Sequence, residues 1–258
     1  LSESSPPVRV VRAVRGAVGF LTRIPVSVGE ADWEAFRGAA YSIPLVGYLV
    51  GALAGLAFFL PLQPPTVVAA YLVGLYLVSG ITHADGLADV GDAIAAHGDR
   101  ERRLAVLKDS ATGVGGVLLL GVTLLVTTLG ALSFAGVASM TAFRIALAAE
   151  VGAKLGMVLV ICYGRPAHEG LGSQLVGRLD RRAFGPALLV SLPVLAFAPP
   201  GTTTALIGAF VAGPIVGLLV LTWGHHAIGG VNGDVIGAAN EVGRAVALHL
   251  GVTAWILL

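Results

Sequence analysis

Charge is scarce in this chain of 258 residues: Asp, Glu, Lys and Arg together make up 12% of it, about half the share found in an ordinary soluble domain. A soluble fold of this length needs a charged shell, and long stretches here carry none. Charge of one sign is lacking too. Sixteen basic residues nearly balance fifteen acidic ones, and no basic stripe interleaved with aromatics appears, which excludes nucleic acid as a partner. There is one cysteine, Cys162, inside an apolar run, so intrachain disulfides and cysteine-rich metal sites are excluded and the thiol reads as a small core hydrophobe. The first residues, Leu1-Ser-Glu-Ser-Ser-Pro-Pro7, show neither a methionine nor the charged-then-apolar order of a signal peptide; they read as the polar tail of a trimmed chain.

What is present is apolar length. Hydrophobic residues are 56% of the chain and its mean hydropathy is +0.87. A bilayer core about 30 Å thick takes roughly 20 helical residues to cross. Runs near that length lie at 41–60, 66–81, 113–131, 140–163, 183–197 and 203–223, with a shorter one at 245–258 whose helix must begin earlier, near Gly237. The first two are joined by the tight turn Pro61-Leu-Gln-Pro-Pro65, and 183–197 and 203–223 by Pro199-Pro-Gly201. The run 140–163 carries Arg144, Glu150 and Lys154 within it. Segments 61–65, 132–139 and 198–202 are free of charge, whereas 1–40, 82–112, 164–182 and 224–244 hold nearly all the basic residues. The positive-inside rule then predicts an all-α, polytopic membrane bundle of about seven spans, with the charged segments on the cytoplasmic side of the cell membrane. The whole chain, 1–258, reads as one membrane-embedded domain. Residues 1–40 form its tail and an interfacial amphipathic helix over 8–21, which turns Arg9, Arg12 and Arg15 toward headgroups. Thirty-six glycines, among them Gly47, Gly51, Gly55, Gly115 and Gly116, predict close helix–helix approach.

Two polar islands stand out. The first follows the second span: Ile81-Thr-His-Ala-Asp-Gly-Leu-Ala-Asp-Val-Gly-Asp92. On a helix Asp85, Asp89 and Asp92 fall within about 60° of one another. Three like charges on one stripe repel unless a cation sits among them, and an oxygen-only set suits magnesium, manganese or calcium. Downstream, Arg102 and the block Lys108-Asp-Ser110, with the glycines after it, supply cations and a helix start able to meet phosphate oxygens; no Walker motif is present. Arg165 stands at a helix end, where a snorkelling role is equally natural. The second island runs from His225-His226 through Gly229-Gly-Val-Asn-Gly-Asp-Val-Ile-Gly-Ala-Ala-Asn-Glu241. Its glycines around Asn232 and Asp234 make it either a ligand-gripping turn or an ordinary glycine-rich loop with a helix cap. His83, two residues from Asp85, is the histidine singled out.

These residues resemble the cobalamin synthase family, also called adenosylcobinamide-GDP ribazoletransferase. The resemblance runs through Phe20-Leu-Thr-Arg-Ile-Pro25, His83-x-Asp-Gly-Leu-Ala-Asp-x-x-Asp92, Arg102 with the Lys108-Asp-Ser110 block, Arg165-Pro166 with Gly170-Leu-Gly172, and the 229–241 island. It departs at Ala93, where glycine is usual, and at Asn232, where threonine is common. It implies that a hydroxyl of α-ribazole or of its 5′-phosphate attacks the cobinamide-linked phosphorus of adenosylcobinamide-GDP and expels GMP. It implies Mg²⁺ held by Asp85, Asp89, Asp92 and Asp234. Asp92, His83 and Lys108 would then be catalytic, and Arg102, Asp109, Ser110, Arg165, Asn232, Asn240 and Glu241 would bind substrate. The lipid bilayer is the other partner, and a second copy of the chain is admitted. Two other classes stay in view. A CDP-alcohol phosphatidyltransferase also places aspartates after a D-G pair, but with an Ala-Arg that this chain lacks. A cation-coupled transporter keeps carboxylates near the midplane of its spans.

Overall fold

A computed structural model describes residues 6–168, 170–198 and 201–257; the expected polar tail 1–5 and Pro199-Pro200 of the second turn lie outside these. Twelve α-helices are present among the described residues: α1 Pro6–Leu21, α2 Glu30–Arg37, α3 Ser42–Gly55, α4 Pro64–Ser79, α5 Thr82–Ala95, α6 Arg100–Val106, α7 Val114–Leu132, α8 Ser139–Tyr163, α9 Leu171–Val176, α10 Phe184–Ser191, α11 Thr203–Ala227 and α12 Gly233–Leu257. Short 3₁₀ turns extend α3 and α10, and the only pairing of β type among the described residues is an isolated bridge between Pro166 and Val231. The all-α expectation holds for these residues.

Among the described residues four helical segments are long and apolar enough to cross a membrane: Ser42–Phe59, Val114–Leu132, Ser139–Tyr163 and Thr203–Ala227. They match four of the expected runs. A fifth crossing is reached only by joining α4 to α5, which meet at 96°. At that angle α5 runs across the end of α4 and does not continue it. The run 183–197 is shorter in helix than in sequence: α10 ends at Ser191, and a 3₁₀ stretch over Leu192–Phe197 carries Pro193, whose ring and missing N–H oppose the α form. The last helix does begin early, at Gly233, and thereby takes in Asp234, Glu241 and Arg244.

α8 is the axis of the bundle, packed by α3, α11 and α12. Glycine sets these approaches. A Cβ on Gly47 or Gly51 would come within about 3.0 Å of side-chain atoms of Lys154 or Glu150 on α8, and Gly152 and Gly156 face Phe210 and Gly213 of α11 backbone to backbone. α7 is one-sided: Gly116, Thr123, Thr127 and Gly130 face the bundle while Val117, Leu118, Leu125 and Leu129 are exposed, as on a helix bordering lipid. α1 forms as expected, with Ala13, Gly16 and Ala17 turned inward onto α2 and α3 and Arg9 and Arg15 exposed. Arg15 also donates to the Ser27 carbonyl at 2.6 Å, which ties the basic face to the loop before α2.

Candidate functional site

The first island is helical from Thr82 onward, with Ile81 as the residue before the helix. The turn into it is made at Gly80, whose φ of 74° is a left-handed value that other residues avoid. Once α5 starts at Thr82, the spacing of its aspartates puts them along one face, and its glycines open the other contacts. A Cβ on Gly86 would lie 2.7 Å from the Asp234 Cα, and one on Gly91 would lie 2.7 Å from the Gly115 carbonyl oxygen. α5 is therefore wedged between α12 and α7, and the two islands touch through a glycine.

The second island is a turn followed by a helix start. α11 ends at Ala227; Gly229, at φ 76°, reverses the chain, and Arg165 Nε donates to its carbonyl at 2.8 Å. The Val231 N–H donates to the Arg165 carbonyl at 2.8 Å and the Ala167 N–H to that of Val231 at 2.9 Å, so the loop after α8 braces the turn. Asn232, not an aspartate, caps α12: its Oδ1 accepts from the Val235 N–H at 3.0 Å. Its Nδ2 donates to Asp234 at 2.7 Å and faces His168 Nε2 at 3.3 Å. One turn on, a Cβ at Gly237 would sit 3.0 Å from the His83 Cα, which is the second glycine contact between the islands.

Between α1, α5, α8, α9 and α12 lies a cavity of about 420 Å³ onto which His83, Asp85, His168, Asn232 and Asp234 open. Asp85 also borders a shallower groove on the opposite side of α5, lined by Tyr76, Leu120 and Leu124. Burial, then Asp234, Asp85 and Asp92, push the Asp89 carboxyl up to about 6. Burial, reinforced by Lys154 and Arg244, holds His83 well below the usual imidazole range, so it is neutral at pH 7. Among the described residues no group of three or more His, Cys, Asp or Glu side chains is drawn together closely enough to hold a metal ion by itself. The donor chemistry still suits a hard divalent cation, since Asp85 and Asp89 on α5 and Asp234 on α12 offer only carboxylate oxygens and such a cation takes its remaining ligands from water and substrate oxygens.

Asp92 is held differently. The Gly113 N–H donates to one of its oxygens at 2.6 Å and the Gly116 N–H to the other at 2.8 Å, so its carboxylate caps the start of α7 from a neighbouring helix. Lys108, Asp109 and Ser110 are exposed on the link into α7, where Asp109 accepts from the Ala111 N–H at 3.0 Å. Arg102 is exposed on α6. None of these four borders the cavity. Asn240 and Glu241 lie deeper. Lys154 donates to Asn240 at 2.7 Å; Glu241 accepts from Tyr76 at 2.9 Å, from Asn240 at 3.0 Å and from Arg244 at 2.6 Å; Arg244 also pairs with Glu150. Glu241 is seven residues beyond Asp234, about 10 Å further down nearly the same face of α12, so this network forms the floor beneath the site.

Sequence reasoning passed over two residues at the site. His168 lacks any motif of its own and reaches the cavity only through the loop after α8. Arg100 likewise has no motif to mark it, yet its guanidinium lies against Gly229 and brings α6 to the second island. The glycine at 229 was the available signal, because a positive-φ turn without a side chain admits a neighbour.

A family model described as "Cobalamin-5-phosphate synthase" matches residues 13–252. A protein of Halorubrum lacusprofundi named adenosylcobinamide-GDP ribazoletransferase is 44% identical over 254 residues, covering 95% of this chain and 98% of its own. One of the same name from Haloquadratum walsbyi is 41% identical, over 96% of this chain and all of its own. A third, from Methanocella arvoryzae, is 33% identical over 96% and 98%. No solved structure matches the chain.

Proposed function

We propose, from the premise that the chain belongs to the cobalamin-5-phosphate synthase family, that it joins adenosylcobinamide-GDP to α-ribazole or its 5′-phosphate and releases GMP. One structural observation carries this reading to particular residues: Gly86 against Asp234 and Gly237 against His83 bring both polar islands to the mouth of one cavity. The relatives named above carry the transferase name over almost their full length, which favours this reading over a CDP-alcohol phosphatidyltransferase or a transporter.

In the reaction a ribazole hydroxyl attacks the phosphorus attached to cobinamide, the bond to the bridging oxygen breaks, and GMP leaves with that oxygen. Such transfers depend on positioning and on neutralising charge at the phosphates. Asp85, Asp89 and Asp234 would hold Mg²⁺, which when bound supplies positive charge to the pyrophosphate. His83, which lines the cavity, is placed to accept the hydroxyl proton. Asn232 orients Asp234 through its hydrogen bond. Asp92, with both oxygens on α7 amides, orients α5 and α7. Lys108, Arg102 and Ser110, on exposed segments beside α5, would steady the leaving phosphate. Arg165 and Asp109 shape the loops that carry this ring, and Asn240 and Glu241 act from the floor.

The arrangement is a single multi-pass domain of the cell membrane. α4, α10 with its 3₁₀ extension and α12 serve as the further crossings that make seven, and the site faces the cytoplasm, where the basic segments lie. GMP release from adenosylcobinamide-GDP, measured with and without α-ribazole, tests the function. Release that depends on α-ribazole is expected. Release unaffected by it, or none at all, would overturn the assignment.

A further inference from the structure

A second hollow, of about 640 Å³, opens at the ends of α8 and α11 and shares no lining residue with the cavity described above. Arg165, Arg181, Arg182 and His225 stand around it, and Asp180 is the one carboxylate among the described residues of its lining. The three arginines are exposed, and among the described residues none of them is ion-paired. They are nonetheless fixed in place. Arg165 is tethered at Nε to the Gly229 carbonyl at 2.8 Å, and the Arg181 guanidinium lies over the Tyr163 ring, 5.5 Å from its centroid. Asp180 accepts from the Arg182 N–H at 3.0 Å and so caps the 3₁₀ turn that carries both Arg181 and Arg182. Guanidiniums ordered beforehand and lacking a carboxylate partner suit the oxygens of a phosphate group.

What else the ligand carries follows from α10, which starts directly after that turn. Ala187, Ser191 and Val194 face inward, while Leu189, Leu192 and Phe197 are exposed on the other side of α10 and its 3₁₀ extension. They form an apolar strip that leads about 20 Å away from the hollow. Tyr163 and Phe184, with ring centroids 5.9 Å apart, stand where the strip meets the arginines, as aromatic residues do at a membrane–water interface. α8 and α11 are both long and apolar enough to cross a bilayer, so their ends put the hollow at the level of phosphate headgroups and the strip beside acyl chains. A soluble phosphate ester would engage the arginines and leave the strip uncovered, whereas a phospholipid meets both. We infer that this hollow binds one anionic phospholipid, with its headgroup phosphate among Arg165, Arg181 and Arg182 and an acyl chain along α10. Binding there depends on the spans and not on the transferase chemistry.

The test follows the unfolding temperature of the full chain in dodecylmaltoside micelles during titration with phosphatidylglycerol, with phosphatidylcholine and with inorganic phosphate. Phosphatidylglycerol is expected to raise it at mole fractions where phosphatidylcholine has no effect, and an equal concentration of inorganic phosphate should leave it unchanged. Each basic side chain at a membrane surface is worth about fivefold in affinity for anionic lipid. Arg181→Gln combined with Arg182→Gln should therefore move the phosphatidylglycerol midpoint up by about thirtyfold. Arg9→Gln combined with Arg103→Gln, which removes equal charge away from the hollow, should keep the wild-type midpoint. An unchanged midpoint in the first pair, or an equal loss in the second, would overturn the inference. So would equal stabilisation by phosphatidylcholine or by inorganic phosphate, the latter marking a site for free anions. Should the first pair fail to fold, native mass spectrometry of the wild-type protein decides: one phosphatidylglycerol kept after the micelle is stripped away, in preference to phosphatidylcholine, is expected, and retention of neither or of both alike would contradict the assignment.

Discussion

Replacing Arg244 by Met probes the floor of the site. Arg244 and Glu150 are fully buried and the Glu241 side chain is 3% exposed, so one guanidinium serves two carboxylates with no water to replace it. Removing one partner of a buried ion pair costs about 3–5 kcal/mol, because the other charge stays behind uncompensated. Glu241 would keep its bonds from Tyr76 and Asn240, whereas Glu150 would lose the cation that pairs with it. The loss should therefore fall within that range and be set mainly by Glu150. It is a large part of the roughly 5–15 kcal/mol that holds a fold together. Titration with SDS in mixed micelles, followed by far-ultraviolet circular dichroism, measures it. Adding Glu150→Gln to Arg244→Met should restore part of the loss, since the stranded charge is gone. A loss below about 1 kcal/mol for Arg244→Met, or strict additivity of the two changes, would refute the reasoning.

The buried Tyr71 hydroxyl has no hydrogen-bond partner among the described residues, so Tyr71→Phe should leave stability unchanged or raise it by about 1 kcal/mol in the same titration. Asp92→Ala should cost about 1–2 kcal/mol by leaving the Gly113 and Gly116 amides without their acceptor, and hydrogen exchange at the start of α7 should quicken; unchanged exchange there would contradict its capping role. Asp89, raised to about 6 in the fold from an ordinary value near 4, binds its proton more tightly folded than unfolded. Its contribution to stability is thus fully present below about pH 4 and lost as pH rises through about 6. Without divalent cation, Asp89→Asn should therefore raise the unfolding temperature more at pH 8 than at pH 4.5, and a larger gain at pH 4.5 would reverse the sign argued here.

Much of the site was legible because it is written in local periodicity. Asp85, Asp89 and Asp92 share a stripe by spacing alone, and the glycines beside them signalled close approach, which Gly86 and Gly91 make. Whether the stripe sat in a loop or a helix was less clear, since the runs on both sides of it read as spans; the bend at Gly80 settles it by turning α5 across α4. Asp92 could not be told from its neighbours, because the amides that occupy it lie 21 and 24 residues away. Asn240 and Glu241 belong to the same motif as Asp234, yet helical rise carries them down to Lys154, Tyr76 and Arg244. Partners that remote depend on how α4, α8 and α12 pack, and no spacing within 229–241 encodes it. In the run 183–197, hydropathy concealed Pro193, which converts the second half to 3₁₀.

The central claim is that the two islands act as one site, and a double-mutant cycle on the magnesium dependence of GMP release tests it most directly. Asp89→Ala and Asp234→Ala should each shift that dependence to higher magnesium, and the double variant should be no worse than the poorer single one, as for residues that act as a unit. Fully additive losses would show two independent sites and contradict the account.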